Sequence, residues 1–320
     1  MNNEYLKAFA CYNIDENLRK EGSSGGVYSL IAKSVINDNG TVYSVVYNEK
    51  FDVVYKRIND ESELEASYGS KYVESTLGDT FRNIKEDLDN GIKVLFVGAP
   101  CHCEGLRAYL GKDYANLLCI DFICHGVPSK KVWHEYITDV IDKNPNISSV
   151  NMRSKAVSWL NFGFEMKFDD NSSVFENRMD NVYLRGFLRD LYLRPSCHEC
   201  KFKGIKRNTD ITIGDFWGAP QLFGEEQYKD GLSSLIINTS KGLSCFEEIK
   251  TNLKTFEVSS EDLILKNSAL VRPSKHNPNR DEFFKRFNKG EDLKHIVYDM
   301  TGKTFFSKVR IRIKKLLKNS

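Results

Sequence analysis

Two short runs of almost entirely apolar residues limit what this chain can fold into. They are residues 93–97 (KVLFV) and 117–123 (LLCIDFI), and a segment with helical spacing, 104–110, lies between them. Runs this short and this apolar are typical of parallel strands that are covered on both faces. Strand and helix patterns alternate along the chain, with hairpin turns indicated at 48–50 and 169–171 and helices predicted over 60–66 and 183–193. We therefore predict an α/β (α+β mixed) fold, in which mixed sheets are flanked by helices.

The composition is that of an ordinary globular protein. Among 320 residues, 46 Lys+Arg balance 44 Asp+Glu, and the net charge of +2 gives no reason to expect nucleic acid as a partner. No run approaches the roughly 18 apolar residues of a membrane span, and the first residues lack the pattern of a signal peptide. We predict a cytoplasmic protein. Its 8 cysteines are then more often metal ligands, catalytic thiols or buried residues than disulfides.

Four cysteines occupy positions that are typical of metal ligands. Cys197 and Cys200 form a C-x-x-C pair in a loop, a spacing at which two thiolates bind one ion or one edge of a cluster. Cys101 and Cys124 each follow a buried strand at its carboxyl end, where open α/β sheets place their sites. If the three loops converge, the four thiolates suit either zinc or an iron–sulfur cluster. The spacing alone does not choose between the two.

Three of the other cysteines fit a structural interpretation better. Cys11 and Cys119 lie in apolar stretches, and Cys245 lies on a helical face with Leu243 and Ile249, so all three are predicted to pack in the core as small hydrophobic residues. Cys103, one turn away from Cys101, remains a spare candidate for the ligand at that corner.

Two glycine-containing loops are candidates for binding phosphate. Residues 23–26 (SSGG) precede an apolar helical stretch, and they offer a capping hydroxyl and free backbone N–H groups. A plain capped helix is the commoner explanation, and the loop matches neither the G-x-G-x-x-G nor the Walker A motif. Residues 69–72 (GSKY) add a cation and two hydroxyls, although a solvated lysine in a turn would have the same sequence.

Seven sequence segments, taken in their order along the chain, carry a further indication of what this protein is. They are SSGGVYSLIA (23–32), GSKYVES (69–75), KVLFVGAPCHCEGL (93–106), DFICHGVPSKKVW (121–133), WLNFGF (159–164), MDNVYLRGFLRDLYLRPSCHECKFKG (179–204) and DITIGDFWG (210–218). In these segments the chain resembles the beta subunit family of coenzyme F-420-reducing hydrogenases and dehydrogenases. The resemblance runs from about residue 8 to 240. It looks most like the bacterial branch found among genes for surface-polysaccharide synthesis.

The resemblance implies an iron–sulfur flavoprotein oxidoreductase that holds FAD and one 4Fe-4S cluster. The family's cluster ligands fall on the four cysteines already selected, Cys101, Cys124, Cys197 and Cys200. The residues implied to bind the flavin are Ser24, Gly25, Gly26, Ser70, Lys71 and, in another family motif, Asn161. Asp215 also lies in a family motif, but the resemblance gives it no role, and it assigns no catalytic residue.

The sequence departs from the family in three ways. It starts at the family core, without the ferredoxin-like segment of many relatives, so we expect one cluster and a separate ferredoxin-like or reduced-flavin electron donor. The usual Thr-Pro-Cys-Gln becomes residues 99–102 (APCH). Coenzyme F-420 itself is a doubtful cofactor, because the bacterial branch occurs where that coenzyme is not made.

Three functions agree with these observations. The first is reduction of an organic substrate, a small molecule or glycan precursor, in surface-polysaccharide synthesis. The second is electron relay within a larger hydrogenase or dehydrogenase complex. The third is a non-redox protein that binds a sugar nucleotide and is stabilised by zinc.

We divide the sequence into an N-terminal family region (1–75) with the SSGG loop, a catalytic region (76–300) with the cluster cysteines, and a basic amphipathic tail (301–320). Residues 303–320 (KTFFSKVRIRIKKLLKNS) contain seven Lys/Arg and no acidic residue, interleaved with apolar residues. This pattern is typical of a helix that lies on a membrane surface, although a short strand or a docked or disordered terminus also agrees with it. It predicts peripheral contact with the inner face of the cell membrane.

Overall fold

The computed structural model describes residues 5–302, so the predictions for the tail 303–320 lie outside the described residues. Within the described residues, eleven strands form one eight-stranded and one three-stranded sheet. The strands are β1 (Lys7–Asn13), β2 (Thr41–Tyr47), β3 (Val53–Ile58), β4 (Val94–Gly98), β5 (Leu117–Phe122), β6 (Ile147–Ser154), β7 (Gly163–Phe168), β8 (Ser173–Asn177), β9 (Ile211–Asp215), β10 (Ser233–Ile237) and β11 (Leu253–Glu257).

Helices cover the sheets and connect the strands. The α-helices of the described part are α1 (Glu16–Glu21), α2 (Val27–Asn37), α3 (Thr80–Asp89), α4 (Pro100–Leu110), α5 (Lys130–Lys143), α6 (Val182–Phe187), α7 (Ala219–Leu222), α8 (Glu225–Tyr228), α9 (Ser240–Ile249), α10 (Ser260–Ile264), α11 (Ser268–Val271), α12 (Arg280–Phe287) and α13 (Leu293–Thr301). Short 3-10 helices lie at Glu61–Glu63, Glu65–Ser67, Pro195–Cys197 and Lys250–Asn252. Every helix among residues 5–302 is too short or too polar to cross a bilayer.

The large sheet has the strand order β11-β1-β10-β9-β5-β4-β2-β3. Its four strands β2, β4, β5 and β9 are parallel to one another, and antiparallel strands flank them on both sides. The predicted mixed α/β fold is therefore confirmed. Since β4 and β5 are adjacent and parallel, with Gly98 opposite Asp121, the loops that follow them leave the sheet side by side.

Both faces of the parallel strands are covered, as their apolar sequences predict. In β4, Val94 and Phe96 pack with α3 and α4, while Leu95 and Val97 pack on the opposite face with α2 and α9. This alternation follows from the period of two along a strand. All five residues of β4 are buried, so the strand is a rigid base for the loop that follows it.

The small sheet has its own core. Its antiparallel order β6-β7-β8 packs with α5, α6, α12 and α13 around Trp133, which is fully buried. The Trp133 indole N–H donates to the Phe51 carbonyl oxygen at 2.8 Å, so this buried polar group has a partner. Because α5 starts directly after the β5 loop, this second core is attached to the carboxyl edge of the large sheet.

Several element boundaries differ from the sequence predictions. The helix expected over 183–193 ends at Phe187, because the chain turns and Asp190 takes a left-handed conformation with φ of 58°. The short helix expected over 60–66 is a pair of 3-10 turns. The helix expected over 104–110 begins earlier, at Pro100, whose fixed φ suits the first turn of a helix.

Candidate functional site

Four cysteines from three loops line one cavity of about 280 Å³. Cys101 lies in the first turn of α4, directly after β4, and Cys124 follows β5 by two residues. Cys197 and Cys200 come from the loop that starts at the 3-10 helix Pro195–Cys197. The structure thus brings together the four cysteines that the sequence selected as ligands.

Backbone hydrogen bonds hold two of these loops together. The Arg194 amide donates to the Val127 carbonyl at 2.8 Å, and the Ser129 amide donates to the Tyr192 carbonyl at 2.9 Å. The Val127 amide also donates to the Cys197 sulfur at 3.3 Å. Hydrogen bonds to ligand sulfurs are one of the means by which proteins set the potential of an iron–sulfur cluster.

Burial in the cavity shifts the pKa of two of its thiols. Burial raises the pKa of the Cys101 thiol, and it raises the pKa of Cys124 to about 12. Two cations oppose this effect: the Arg194 guanidinium acts on Cys101, and the Lys203 ammonium acts on Cys124. Binding of a metal centre would therefore displace protons from these thiols, and the nearby cations would offset the thiolate charge.

The four cysteines can be compared with the requirements of two kinds of metal centre. Within residues 5–302, no three His, Cys, Asp or Glu side chains are placed to hold a single metal ion. In a 4Fe-4S cluster each thiolate binds a different iron, so the four sulfurs surround a volume rather than meet at one point. Four cysteines that line one cavity from three loops fit this requirement of a 4Fe-4S cluster.

Cys103 lies outside this cavity. Its sulfur is buried and contacts the carbonyl oxygens of Gly98 at 3.7 Å and Ile120 at 3.5 Å. The remaining cysteines are buried in the core, as their apolar surroundings predicted, and they are Cys11, Cys119 and Cys245.

The histidines beside the proposed ligands have structural partners. His125 Nε2 lies 2.6 Å from an oxygen of Asp190, the residue with the left-handed backbone. His198 Nδ1 lies 3.2 Å from the Ser274 carbonyl, and the Ser274 hydroxyl in turn donates to the His125 carbonyl. These contacts tie the residue 274 loop to the cysteine loops.

A second, larger cavity of about 1480 Å³ lies between the GSKY loop and β6. Ser70 and Lys71 line it, as does Lys155 from the loop after β6. The Ser23 hydroxyl accepts hydrogen bonds from the Ser70 amide at 2.6 Å and the Ser70 hydroxyl at 2.8 Å. The two loops that the sequence suggested for phosphate therefore meet, and the cavity exceeds the usual size of a small-molecule site.

The other predicted flavin residues do not line this cavity. Gly25 and Gly26 are buried, and a Cβ atom on Gly25 would lie only 2.4 Å from the Cys11 carbonyl oxygen. The Gly25 amide donates to the Ser233 hydroxyl at 2.8 Å, so this glycine serves the packing of the loop against β1 and β10. Asn161 lies in an exposed turn, where its amide donates to Ser158.

Two lysines of the second cavity are partly removed from water. The Lys71 ammonium donates to the Tyr68 carbonyl at 3.0 Å, and burial lowers its pKa to about 7. Lys155 donates to the carbonyls of Ser24 and Asp230, and burial likewise lowers its pKa to about 7. An anionic ligand would favour the charged form of both lysines. Lys155 was not predicted, because the mostly polar sequence of β6, the strand that positions it, does not indicate a strand.

Asp215 connects the two sheets. Its carboxylate accepts from the Trp159 indole at 2.8 Å and lies 3.2 Å from the guanidinium of Arg153, at the end of β6. Arg153 is fully buried and lies over the Phe162 ring at 3.6 Å. The charges of this pair compensate one another where Arg153 is fully buried and Asp215 mostly so, next to Ser154 and Lys155 of the second cavity.

Three rings in mutual contact lead from the cysteine cavity towards the second cavity. His125 borders the cysteine cavity, and its ring centre lies 5.2 Å from that of Phe187. Phe187 stacks on Tyr72 at 4.8 Å, and Tyr72 directly follows Lys71 of the second cavity. The ring contacts thus run from the wall of the cysteine cavity to the residue next to Lys71.

Comparison with known proteins agrees with this architecture. The chain is similar to a chain in the structure of the xenon-derivatised F420-reducing [NiFe] hydrogenase complex from Methanosarcina barkeri. The TM-score is 0.57 and the identity 15%, over 90% of this chain and 94% of the other, so the likeness is one of fold. No curated protein matches the chain.

A family model matches more than half of the chain. The model describes the C terminus of the beta subunit of coenzyme F420 hydrogenase/dehydrogenase, and it covers residues 91–261, which include all four cysteines of the cavity. The resemblance seen in the sequence motifs is confirmed. The chain therefore belongs to the coenzyme F420 hydrogenase/dehydrogenase beta subunit family.

Proposed function

We propose that this protein is an iron–sulfur flavoprotein oxidoreductase that transfers electrons between a 4Fe-4S cluster and FAD. The observation that carries the proposal is the convergence of Cys101, Cys124, Cys197 and Cys200 on one cavity. Family membership supports it, because the family consists of hydrogenase and dehydrogenase beta subunits.

The four cysteines would hold the cluster, and the second cavity would hold the flavin. There, Lys71 and Lys155 would bind the phosphates as cations, with the Ser70 hydroxyl beside them. A cluster supplies single-electron transfer, and a flavin supplies hydride exchange with an organic substrate. Ser24, Gly25 and Gly26 would contribute to flavin binding indirectly. They fix the loop whose Ser23 hydroxyl forms hydrogen bonds with Ser70.

The chain's own residues prepare the cysteine cavity for a reducible centre. Arg194 and Lys203 bring positive charge close to four thiolates, and the Val127 amide donates to one sulfur. Charge compensation and hydrogen bonds to sulfur both make a cluster easier to reduce. Phe187 excludes water between the cavities, since it is 1% exposed and contacts both His125 and Tyr72.

We propose that the electron acceptor is an organic substrate, a small molecule or glycan precursor in surface-polysaccharide synthesis, and that the donor is a separate ferredoxin-like or reduced-flavin carrier. The second candidate function is electron relay within a larger complex. It is favoured by the structural neighbour, which comes from a hydrogenase complex. A zinc-stabilised protein without redox function is less well supported, because the family of this chain consists of hydrogenase and dehydrogenase beta subunits.

The test is an anaerobic absorption spectrum of the purified protein, with iron, zinc and flavin quantified in the same sample. We expect broad iron–sulfur absorbance, about four irons per chain and bound FAD. Colourless protein with about one zinc per chain and no flavin, even after anaerobic reconstitution, would overturn the proposal. Stoichiometric capture of a hydrogenase-like or dehydrogenase-like subunit would favour the relay function.

A further inference from the structure

We propose that a basic rim at the mouth of the cysteine cavity is the docking surface for a small acidic electron-carrier protein. The rim consists of Lys201, Lys206, Arg272 and Lys275, and all four side chains are exposed. The inference rests on the proposed function, because it concerns how electrons reach the cavity.

The rim is built from two segments with no acidic residue. Residues 201–207 (KFKGIKR) contain four Lys/Arg, and residues 272–280 (RPSKHNPNR) contain three. The chain as a whole is almost neutral, with a net charge of +2, so this is a local concentration of positive charge. Such a concentration attracts partners of opposite charge and orients them as they approach.

The two segments lie side by side in the fold. The Gly204 amide donates to the Leu270 carbonyl at 2.9 Å, and the rings of His198 and His276 are 5.1 Å apart. The Ser274 carbonyl contacts His198, which lies between Cys197 and Cys200. The rim therefore follows the edge of the cysteine loop.

The charges of the rim are not neutralised by ion pairs within the described residues. No salt bridge among residues 5–302 involves any of the four rim side chains. Arg207 differs, since its guanidinium faces Asp121 at 3.7 Å. Two acidic residues lie near the rim: Glu199 lines the cavity, and Glu104 accepts a hydrogen bond from the Asn208 side chain. The four basic side chains of the rim outnumber these two, so its net charge is positive.

The location of the rim favours an electron carrier over other anionic partners. Lys201 and Phe202 line the cavity itself, and the Phe202 ring is 37% exposed. Small, charged contact surfaces with a minor apolar centre are typical of transient redox complexes. In the docked pair the carrier would be oxidised by one electron, and the cluster that the four cysteines would hold would be reduced by one electron. No covalent bond would form or break.

The test uses the full chain and a purified plant-type 2Fe-2S ferredoxin as the acidic probe. The variant is Lys206→Glu/Lys275→Glu, because neither residue lines the cavity. The control is Lys143→Glu/Lys254→Glu, which changes the net charge equally. Lys143 ends α5, about 20 Å along the helix from the cysteine loops, and Lys254 lies on the edge strand β11.

We expect the wild-type chain to bind the probe at low salt and to lose affinity towards about 0.15 M salt. The rim variant should bind at least about tenfold more weakly, while the control binds as the wild type does. Equal losses in both variants, no loss in either, or no wild-type binding at low salt would overturn the docking surface. So would rim-dependent binding to anionic phospholipid vesicles without binding to the ferredoxin.

Iron measured in the same samples separates this inference from the proposed function. Iron-loaded protein without rim-dependent binding overturns the docking surface alone. Iron-free protein that still binds the ferredoxin through the rim, even after anaerobic reconstitution, overturns the proposed function and leaves the docking surface standing.

Discussion

Cys101 and Cys103 are two residues apart on α4 and have opposite surroundings. Cys101 borders the cavity with the other three ligand candidates, whereas Cys103 is buried against the Gly98 and Ile120 carbonyls. Residues at positions i and i+2 of a helix do not share a face, so both cannot serve the same site.

This difference predicts the outcome of two matched substitutions. Cys101→Ala should reduce the iron content from about four per chain to almost none, because one corner of the cluster would lose its ligand. Cys103→Ala should keep the iron of the wild type. The measurement is iron content together with the absorption spectrum after anaerobic purification. Full iron in the Cys101 variant and none in the Cys103 variant would transfer the ligand role to Cys103.

Lys71 predicts a dependence of stability on pH in the flavin-free protein. Burial lowers its pKa in the folded state to about 7, from an ordinary value of 10.5. Below pH 7 the lysine is protonated in both states, and the folded state carries the full cost of the buried charge. From about pH 7 to 10.5 the folded state releases this proton and the unfolded state keeps it, so the free energy of unfolding rises with pH.

Lys71→Met removes this contribution. Relative to that variant, the wild type should gain stability from pH 7 upwards, by at most about 1.4 kcal/mol per pH unit for one proton. Urea unfolding of both proteins across this range measures the difference. Parallel pH profiles would show that Lys71 is not desolvated in the folded protein.

The cysteines show what could be predicted from the sequence at the residue scale. A strand end or a C-x-x-C spacing marks a candidate ligand locally, so Cys101, Cys124 and the Cys197–Cys200 pair were selected without a structure, and the structure brings them to one cavity. The role of Ser23 was not predicted, because its bond to Ser70 joins residues 47 positions apart. A sequence pattern covers only neighbouring residues, so it does not indicate a contact between residues so far apart in the chain.

At the scale of elements, β6 and β9 depend on one another. Arg153 at the end of β6 is fully buried, and Asp215 at the end of β9 is its charged partner. Asp215→Ala should destabilise the protein by about 3–5 kcal/mol, because the arginine would stay buried without compensation. Urea unfolding measures the loss, and Asp215→Asn gives a milder change if the alanine variant does not fold.

Glu226→Ala is the control for this substitution. It also removes one ion pair, the contact between Glu226 and Lys229, and should have little effect on the free energy of unfolding because both side chains are exposed to solvent. Similar losses in the two variants would contradict the structural role of the buried pair.

Elements were predictable to the extent that their pattern was local. The apolar runs of β4 and β5 identified both strands to within a residue or so. The strand β6 was missed because five of its eight residues are polar and its ladder with β7 contains register shifts. The break after Phe187 was also missed, since the sequence keeps an apolar helical pattern while Asp190 turns the backbone.

At the scale of the whole molecule, residues 303–320 carry a prediction that the described residues do not test. This segment has seven basic residues and no acidic residue. Each basic residue would contribute about 1 kcal/mol of binding free energy near an anionic membrane surface. The full chain should sediment with anionic vesicles but not with neutral ones, and removal of residues 303–320 should abolish this. Unchanged binding after the deletion would contradict a membrane role.

The first strand has a consequence for how the protein is made. Lys7 of β1 pairs with Ile237 of β10, 230 residues later, and the other edge of β1 pairs with β11. At about 5–20 residues per second, translation needs roughly 12–46 s between these positions. The nascent chain must keep an apolar strand unpaired throughout that interval. Final closure of the sheet is therefore an event that follows synthesis of β11, and ribosome-bound chains that end before Glu257 should be sensitive to protease at β1.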